Sequence, residues 1–442
     1  MESDAPADAK LNPTIGVSAV QAVSAQSEPQ VSEPVPARLS LDQTFASLKY
    51  RNYRLWFIGQ LASLVGTWMQ ATAQGYLVYQ LTNSPAYLGY VGFAGGIPSW
   101  LFMLFGGVIS DRMSRRTLMV ITQSLMMILA FVLAYLTFTN VVQPWHIVIL
   151  AFMLGVVNAF DAPARQAFIL EMVERKDMTN AIALNSTMFN LATAIGPAVA
   201  GAAYALVGPG WCFTINGISF LAVIVALLMM QLRPLPMREV RTSAVQDLAE
   251  GMRYVLRHQM IGIMMVIAMV YGLFAMGYGT LIPAWAVAIL GGDAGTTGLL
   301  QSTRGIGSMI AALYIASVGM YNFKGKLLTL GTLAFPALLL VFAAVTTIPL
   351  SLAIMVAVGA GQMLLFNLLN MLIQTLVSDD LRGRVMGFYS LTFFGVAPVG
   401  ALLAGGAATF IGEPLTIVIT ASISLAFGLV IFWRVPRLRK LA

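Results

Sequence analysis

Between two long apolar runs the chain places Gly106-Gly107-Val108-Ile109-Ser110-Asp111-Arg112-Met113-Ser114-Arg115-Arg116. One carboxylate and three guanidiniums share a few residues. A loop this short between membrane helices holds its charges at the water–lipid boundary, where Asp111 reaches Arg side chains and helix ends. A plain positive-inside anchor explains Arg115 and Arg116. It does not explain Asp111, nor Gly107 one helical turn before it. A glycine there admits a neighbouring helix, and a carboxylate can lock that contact.

Asp161 and Arg165 lie one turn apart toward the basic end of a later apolar run. They read as a local ion pair, or as a network with Asp111 and Arg112. The alternative makes Asp161 a titrating proton site, its affinity set by burial against pairing. The seven residues Gly107, Asp111, Arg112, Arg115, Arg116, Asp161 and Arg165 are therefore candidates for a cytoplasmic gate.

A second chemistry is written in polar stripes. Gln60, Ser63, Thr67, Gln70 and Gln74 recur every three or four residues, on one helical face. Such a stripe is unfavourable against lipid, so it faces the interior or a water-filled cavity. Asn367, Asn370 and Gln374 repeat the pattern, as do Thr297, Gln301, Arg304 and Ser308. Interhelical hydrogen bonding and cavity lining both stand open for each stripe; their convergence favours a cavity. Arg304 sits about two turns inside its run. A cation at the bilayer centre costs ~2.5–3.5 kcal/mol on insertion scales, so it needs a partner. That partner is an anionic or hydrogen-bond-accepting substrate, or Asp293 and nearby helix carbonyls.

The elements that position these residues follow from composition. Of 442 residues 58% are hydrophobic and 10% charged, against roughly 25% charged in soluble domains. This is a polytopic membrane protein. A lone cysteine, Cys212, excludes an intramolecular disulfide framework. His146 and His258 are far apart, so no metal or haem site is expected. No nucleophile–base set or phosphate loop emerges, so neither an enzyme nor a cofactor is expected. The net charge of +7 is scattered over loops, which fits lipid headgroups rather than nucleic acid. Twenty-six methionines, with Trp68, Trp100 and Trp285, suit a pliable apolar cavity or ordinary packing.

Twelve apolar runs are long enough to span a bilayer: 55–80, 86–109, 117–139, 145–168, 180–206, 211–231, 260–288, 296–319, 327–346, 350–376, 385–411 and 415–433. Loops such as Thr82–Pro85, Gly208–Gly210 and Gly412–Pro414 carry no Lys or Arg, whereas the opposite loops hold Arg112, Arg115, Arg116, Arg175, Lys176, Lys324, Lys326, Arg382 and Arg384. That asymmetry places both termini in the cytoplasm. Residues 1–52 read as a disordered tail, 53–231 and 260–433 as two six-helix halves, 232–259 as a linker and 434–442 as a basic tail. Val245, Leu248, Met252 and Val255 recur at helical spacing, giving the linker an amphipathic interfacial helix or an extension of the seventh run. The halves match: Ala86–Leu118 aligns without gaps on Gly295–Leu327.

At this point the residues resemble a family. Gly107-x-x-x-Asp111-Arg112-x-Ser114-Arg115-Arg116 is similar to the signature between helices 2 and 3 of the major facilitator superfamily, with Ser114 where Gly is usual. In the second half Met320 stands at the position of Asp111. Gly196-Pro197-x-x-Ala200-Gly201 resembles the superfamily's antiporter motif, with Gly196, Pro197 and Gly201 as a helix kink. Asn158–Gln166, Asn180–Ser186, Leu381–Gly387 and Gly59–Gln70 resemble the branch of enterobactin exporters and macrolide efflux proteins. The resemblance implies an all-α fold of twelve transmembrane helices in two six-helix halves. It implies export of a siderophore-like or drug-like small molecule by alternating access, as a proton antiport, from a monomer in a bacterial inner membrane. Uptake by the same fold, or a non-transporting receptor or assembly protein, are the alternatives.

Overall fold

The structure is a computed structural model; it describes residues 45–231, 244–318 and 323–441. The expected N-terminal tail up to residue 44, the linker's residues 232–243, the turn holding Met320 and the Asp111 side chain lie outside them.

In hydrocarbon every backbone polar group must be satisfied within its own segment, so long apolar runs become helices. The helices are α1 (Arg51–Thr82), α2 (Pro85–Arg112), α3 (Arg115–Phe138), α4 (Pro144–Met172), α5 (Met178–Val207), α6 (Pro209–Met229), α7 (Ala244–Arg257), α8 (Gln259–Ile289), α9 (Ala294–Val318), α10 (Lys324–Ala343), α11 (Ile348–Leu376), α12 (Asp379–Ile411) and α13 (Glu413–Arg434). Among the described residues nine of them, α3 to α6, α8 and α10 to α13, are long and apolar enough to cross a membrane. The remaining long helices α1, α2 and α9, of 32, 28 and 25 residues, pack among the nine.

The turn residues read from the sequence mark the boundaries. Asn83 takes a left-handed φ of 48° after α1, and Gly208 a φ of 86° between α5 and α6. Proline starts α2, α4 and α6, where its missing N–H has no intrahelical partner to lose. Inside α8 two π turns, Tyr271–Ala275 and Trp285–Ile289, flank a short α segment. Extra residues inserted this way re-aim the side chains between them.

The packing repeats. α2 lies against α4 as α9 lies against α11, and α3 meets α6 as α10 meets α13. Across the molecule α2 packs on α12 and α5 on α9, which are counterparts under the same exchange. Both crossings are glycine seams. A Cβ on Gly405 would stand 2.6 Å from the Pro85 carbonyl oxygen, and one on Gly201 would stand 2.9 Å from that of Ala294. Small residues let backbones touch here, as membrane helices require.

The linker helix α7 is a separate element, because His258 takes an extended conformation before α8. Val255 faces inward and Met252 outward. α7 packs on α12: Gly251 meets the Arg384 carbonyl, and Arg384 pairs with Asp247 at 2.9 Å and Glu250 at 2.8 Å. The turn before α1 is tied to the α4–α5 connection. Ser47 N–H donates to Asn180 Oδ1 at 2.9 Å, and Tyr50 and Lys49 reach Asp177 Oδ2 at 2.7 and 2.6 Å. Trp285 is fully buried against Phe342, with ring centroids 4.8 Å apart, so it is a packing residue and not a cavity wall.

Candidate functional site

A cavity of about 510 Å³ opens where α1 to α6 meet α8 and α9. Its size is that of a small-molecule site. The α1 stripe builds one wall: Ser63, Thr67, Gln70 and Gln74 line it. Gln60 does not. It is 1% exposed and packed inside the bundle: Thr67 and Ala71, on the same face two and three turns further along, are in the wall, so Gln60 lies beyond the end of the cavity. Gln70 Oε1 accepts from Asn216 Nδ2 at 2.7 Å, and Thr67 Oγ1 donates to the Ser63 carbonyl. Thus the stripe lines the cavity and joins helices at once.

From α9, Gln301 and Arg304 reach the same space. Gln301 Oε1 accepts from Thr72 Oγ1 at 3.2 Å. Arg304 has no carboxylate within ion-pairing distance among the described residues. Asp293, the alternative partner, instead accepts from Thr296 N at 2.9 Å and caps the start of α9. The Arg304 Nη1 lies against Gly279 of α8, where a Cβ would meet it at 3.1 Å.

The α11 stripe stands apart. Gln374 is exposed and donates from Nε2 to Asn370 Oδ1, and neither they nor Asn367 line the cavity. α11 is held behind α9 by a close contact between Gly359 and the Arg304 backbone, so its polar face does not reach the space. The methionine-rich lining is likewise reduced to Met126, while Trp68 forms part of the wall, edge-on to Phe189 at 5.9 Å.

Among the gate candidates, Asp161 is fully buried. Its Oδ1 accepts from Thr122 Oγ1 at 2.7 Å and Gln123 Nε2 at 3.1 Å, both on α3. Arg165 lies 3.8 Å from Oδ2 and lines the cavity. Arg115 pairs with Glu171, Arg116 donates to the Leu228 carbonyl at 2.8 Å, and Arg112 is exposed. The close helix approach expected at Gly107 is found one residue earlier. Gly106 abuts the Ala159 carbonyl, whereas a Cβ on Gly107 would meet nothing within 4 Å. One residue is a 100° turn of the helix, enough to change neighbours. Gly196 sits on Val65 and Trp68, and Pro197 and Gly201 form the α5–α9 seam, with α5 helical throughout.

Sequence reasoning missed Thr122, Gln123 and Asn216. Each is a polar residue inside an apolar run, a signal that was present but had no stripe around it.

The profile of the transmembrane secretion effector family matches residues 42–441. The staphyloferrin A transporter of Staphylococcus aureus (strain NCTC 8325 / PS 47) is 24% identical, over 79% of this chain and 88% of its own. The multidrug efflux pump Tap of Mycolicibacterium fortuitum is 25% identical, over 86% and 95%. In fold the chain is similar to the nucleoside transporter NupG, with a TM-score of 0.66 at 16% identity over 87% of this chain and 98% of that one. A signature matched across nearly the whole described chain, on a bundle of this architecture, leaves one conclusion: the protein belongs to the transmembrane secretion effector family of major facilitator transporters.

Proposed function

We propose that the protein exports a siderophore-like or drug-like small molecule by alternating access, in antiport with protons. The observation that carries this is the asymmetry of the α2–α12 crossing. At Gly89 and Gly405 the two helices touch backbone to backbone. The close contacts continue through Gly96 with Pro398 and Trp100 with Gly395 and stop there; nearer the basic loops Gly106 packs on α4 instead, and Gly107, Gly383 and Gly387 touch no counterpart. A bundle sealed at one end and loose at the other, around a cavity, is the geometry of a carrier facing the cytoplasm.

On this reading twelve helices span the inner membrane of a bacterium, with both termini cytoplasmic. The halves are 53–231 and 260–433, joined by the linker 232–259, with tails 1–52 and 434–442. The protein works as a monomer. Gly107, Asp111, Arg112, Arg115, Arg116, Asp161 and Arg165 act when the cytoplasmic side closes. The substrate class rests on the relatives, which are named for staphyloferrin A and for multidrug efflux.

Everted membrane vesicles energised by lactate test this. Enterobactin and erythromycin, as siderophore and drug probes, are followed by filtration. At least one should accumulate several-fold over vesicles lacking the protein, and nigericin should abolish the gradient. Accumulation untouched by nigericin removes the proton antiport. Accumulation of neither removes the export reading for these substrate classes.

A further inference from the structure

We infer that the cavity is built for an organic anion, held between Arg165 of α4 and Arg304 of α9; this deepens the export reading and rests on it. The charge of the wall is one-sided. Arg165 and Arg304 are the two ionisable side chains among its lining residues with a full charge at neutral pH, and no carboxylate lines it. A guanidinium stays protonated in any such setting. Two cations facing one low-dielectric space repel each other and attract an anion.

Neither cation is neutralised by a carboxylate at hydrogen-bonding distance among the described residues; the side chain beside Arg304 is the neutral Tyr278 hydroxyl. Arg304 has no carboxylate within ion-pairing distance among the described residues. Arg165 has Asp161 at 3.8 Å, longer than the ~2.7–2.9 Å of a charge-assisted hydrogen bond. Asp161 offsets part of that charge from behind the wall, and the guanidinium remains free to bond into the cavity. Holding such groups in a membrane protein without strong partners is costly, and a ligand anion removes the penalty.

The neutral lining adds a donor: the Gln70 amide oxygen accepts from Asn216 Nδ2, and its NH₂ group has no protein acceptor among the described residues. Trp68, Phe189 and Phe220 offer the apolar face against which the ligand's body packs. The two arginines come from the two sequence halves, so one planar carboxylate or phenolate at each end of a ligand would bridge them. Arg supplies the bidentate fork that a carboxylate matches.

The test uses two xanthene dyes of similar shape and opposite charge, the anion carboxyfluorescein and the cation tetramethylrosamine. Fluorescence anisotropy is followed on the full chain in detergent. Carboxyfluorescein should bind at least tenfold more tightly than tetramethylrosamine. Arg304→Gln should weaken the anion at least tenfold, about 1.4 kcal/mol, and Arg304→Lys should lose less. Because Arg165→Gln alone leaves Asp161 without its cation, the double variant Arg165→Gln/Asp161→Asn is the second arm. It should weaken carboxyfluorescein similarly. In both, tetramethylrosamine should bind as before or more tightly. Equal affinity for the two dyes, preference for the cation, no anion binding, or an anion affinity unmoved by Arg304→Gln overturns the inference. Reconstitution separates it from the export reading. Anion binding without transport leaves the site and removes the carrier; transport of the cation without anion binding does the reverse.

Discussion

Asp161 and Arg165 face each other at 3.8 Å across one helical turn, the carboxylate wholly buried and the guanidinium in the cavity wall. The Asp161 oxygens are used unequally. Oδ1 takes hydrogen bonds from Thr122 and Gln123, and Oδ2 has only the distant cation among the described residues. One buried carboxylate thus fastens α3 to α4 and sets the position of a cavity cation.

Asp161→Leu should therefore strand two donors and a cation, at about 3 kcal/mol or more. Asp161→Asn keeps an acceptor for Thr122 and should lose about 1–2 kcal/mol. Thr122→Val should lose about 1 kcal/mol. Thermal unfolding in detergent ranks the three. An Asp161→Leu variant as stable as the parent would show that the carboxylate holds nothing together.

The grip of α7 on α12 runs through Arg384, which is shared by Asp247 and Glu250. These groups are partly exposed, so each pair is worth only about 0.2–1 kcal/mol. Reversal is more telling than deletion. Arg384→Glu should release α7 and speed proteolytic cleavage of the linker several-fold. Combining it with Asp247→Lys and Glu250→Lys should restore protection. No rescue would mean that Gly251 packing alone docks the helix.

The seams predict opposite responses to one methyl group. Gly298→Ala drives a Cβ into the Pro197 carbonyl between α5 and α9, and overpacking of this kind costs about 1–3 kcal/mol. Gly107→Ala meets open space in this state and should leave the melting temperature unchanged. Gly107→Leu should also fold normally, yet slow transport at least tenfold if α2 must approach a neighbour when the cytoplasmic side closes. Transport by Gly107→Leu at the parental rate would leave that loop as an orientation signal only.

Tyr50 carries a pH signature outside the bundle. Burial, then the hydrogen bond to Asp177, pushes its phenol from 10.0 up to about 12. The folded state favours the protonated form. Its contribution is thus complete below pH 10 and is lost as pH rises through about 12. The stability difference between the parent and Tyr50→Phe should shrink over that window. A constant difference would mean the hydroxyl does not hold the turn to Asp177.

Much of this was legible in one dimension. Apolar run length and the one-sided placement of Lys and Arg depend on each segment's own transfer into lipid, a local quantity. The α7 helix and the turn at Gly208 are local as well, written in spacing and in a residue that tolerates positive φ. The stripes of α1 and α9 marked helical faces that carry polar groups. They did not fix which faces meet one another.

That second question depends on helix rotation and neighbour choice, which only packing settles. Gln60 belongs to the same stripe as Gln70 but ends inside the bundle. Asn370 and Gln374 look as polar as Gln301, yet α11 sits behind α9 and they bond to each other. Asp293 turned into a helix cap and left Arg304 to the cavity. Gly106, not Gly107, carries the close contact. The sequence by itself determined that the chain is a membrane bundle with basic loops on one side and polar stripes along three of its helices. Tertiary structure alone decided which polar groups satisfy each other and which are left facing the cavity, because hydrogen bonds and ion pairs reach only a few ångströms and their partners lie on other helices.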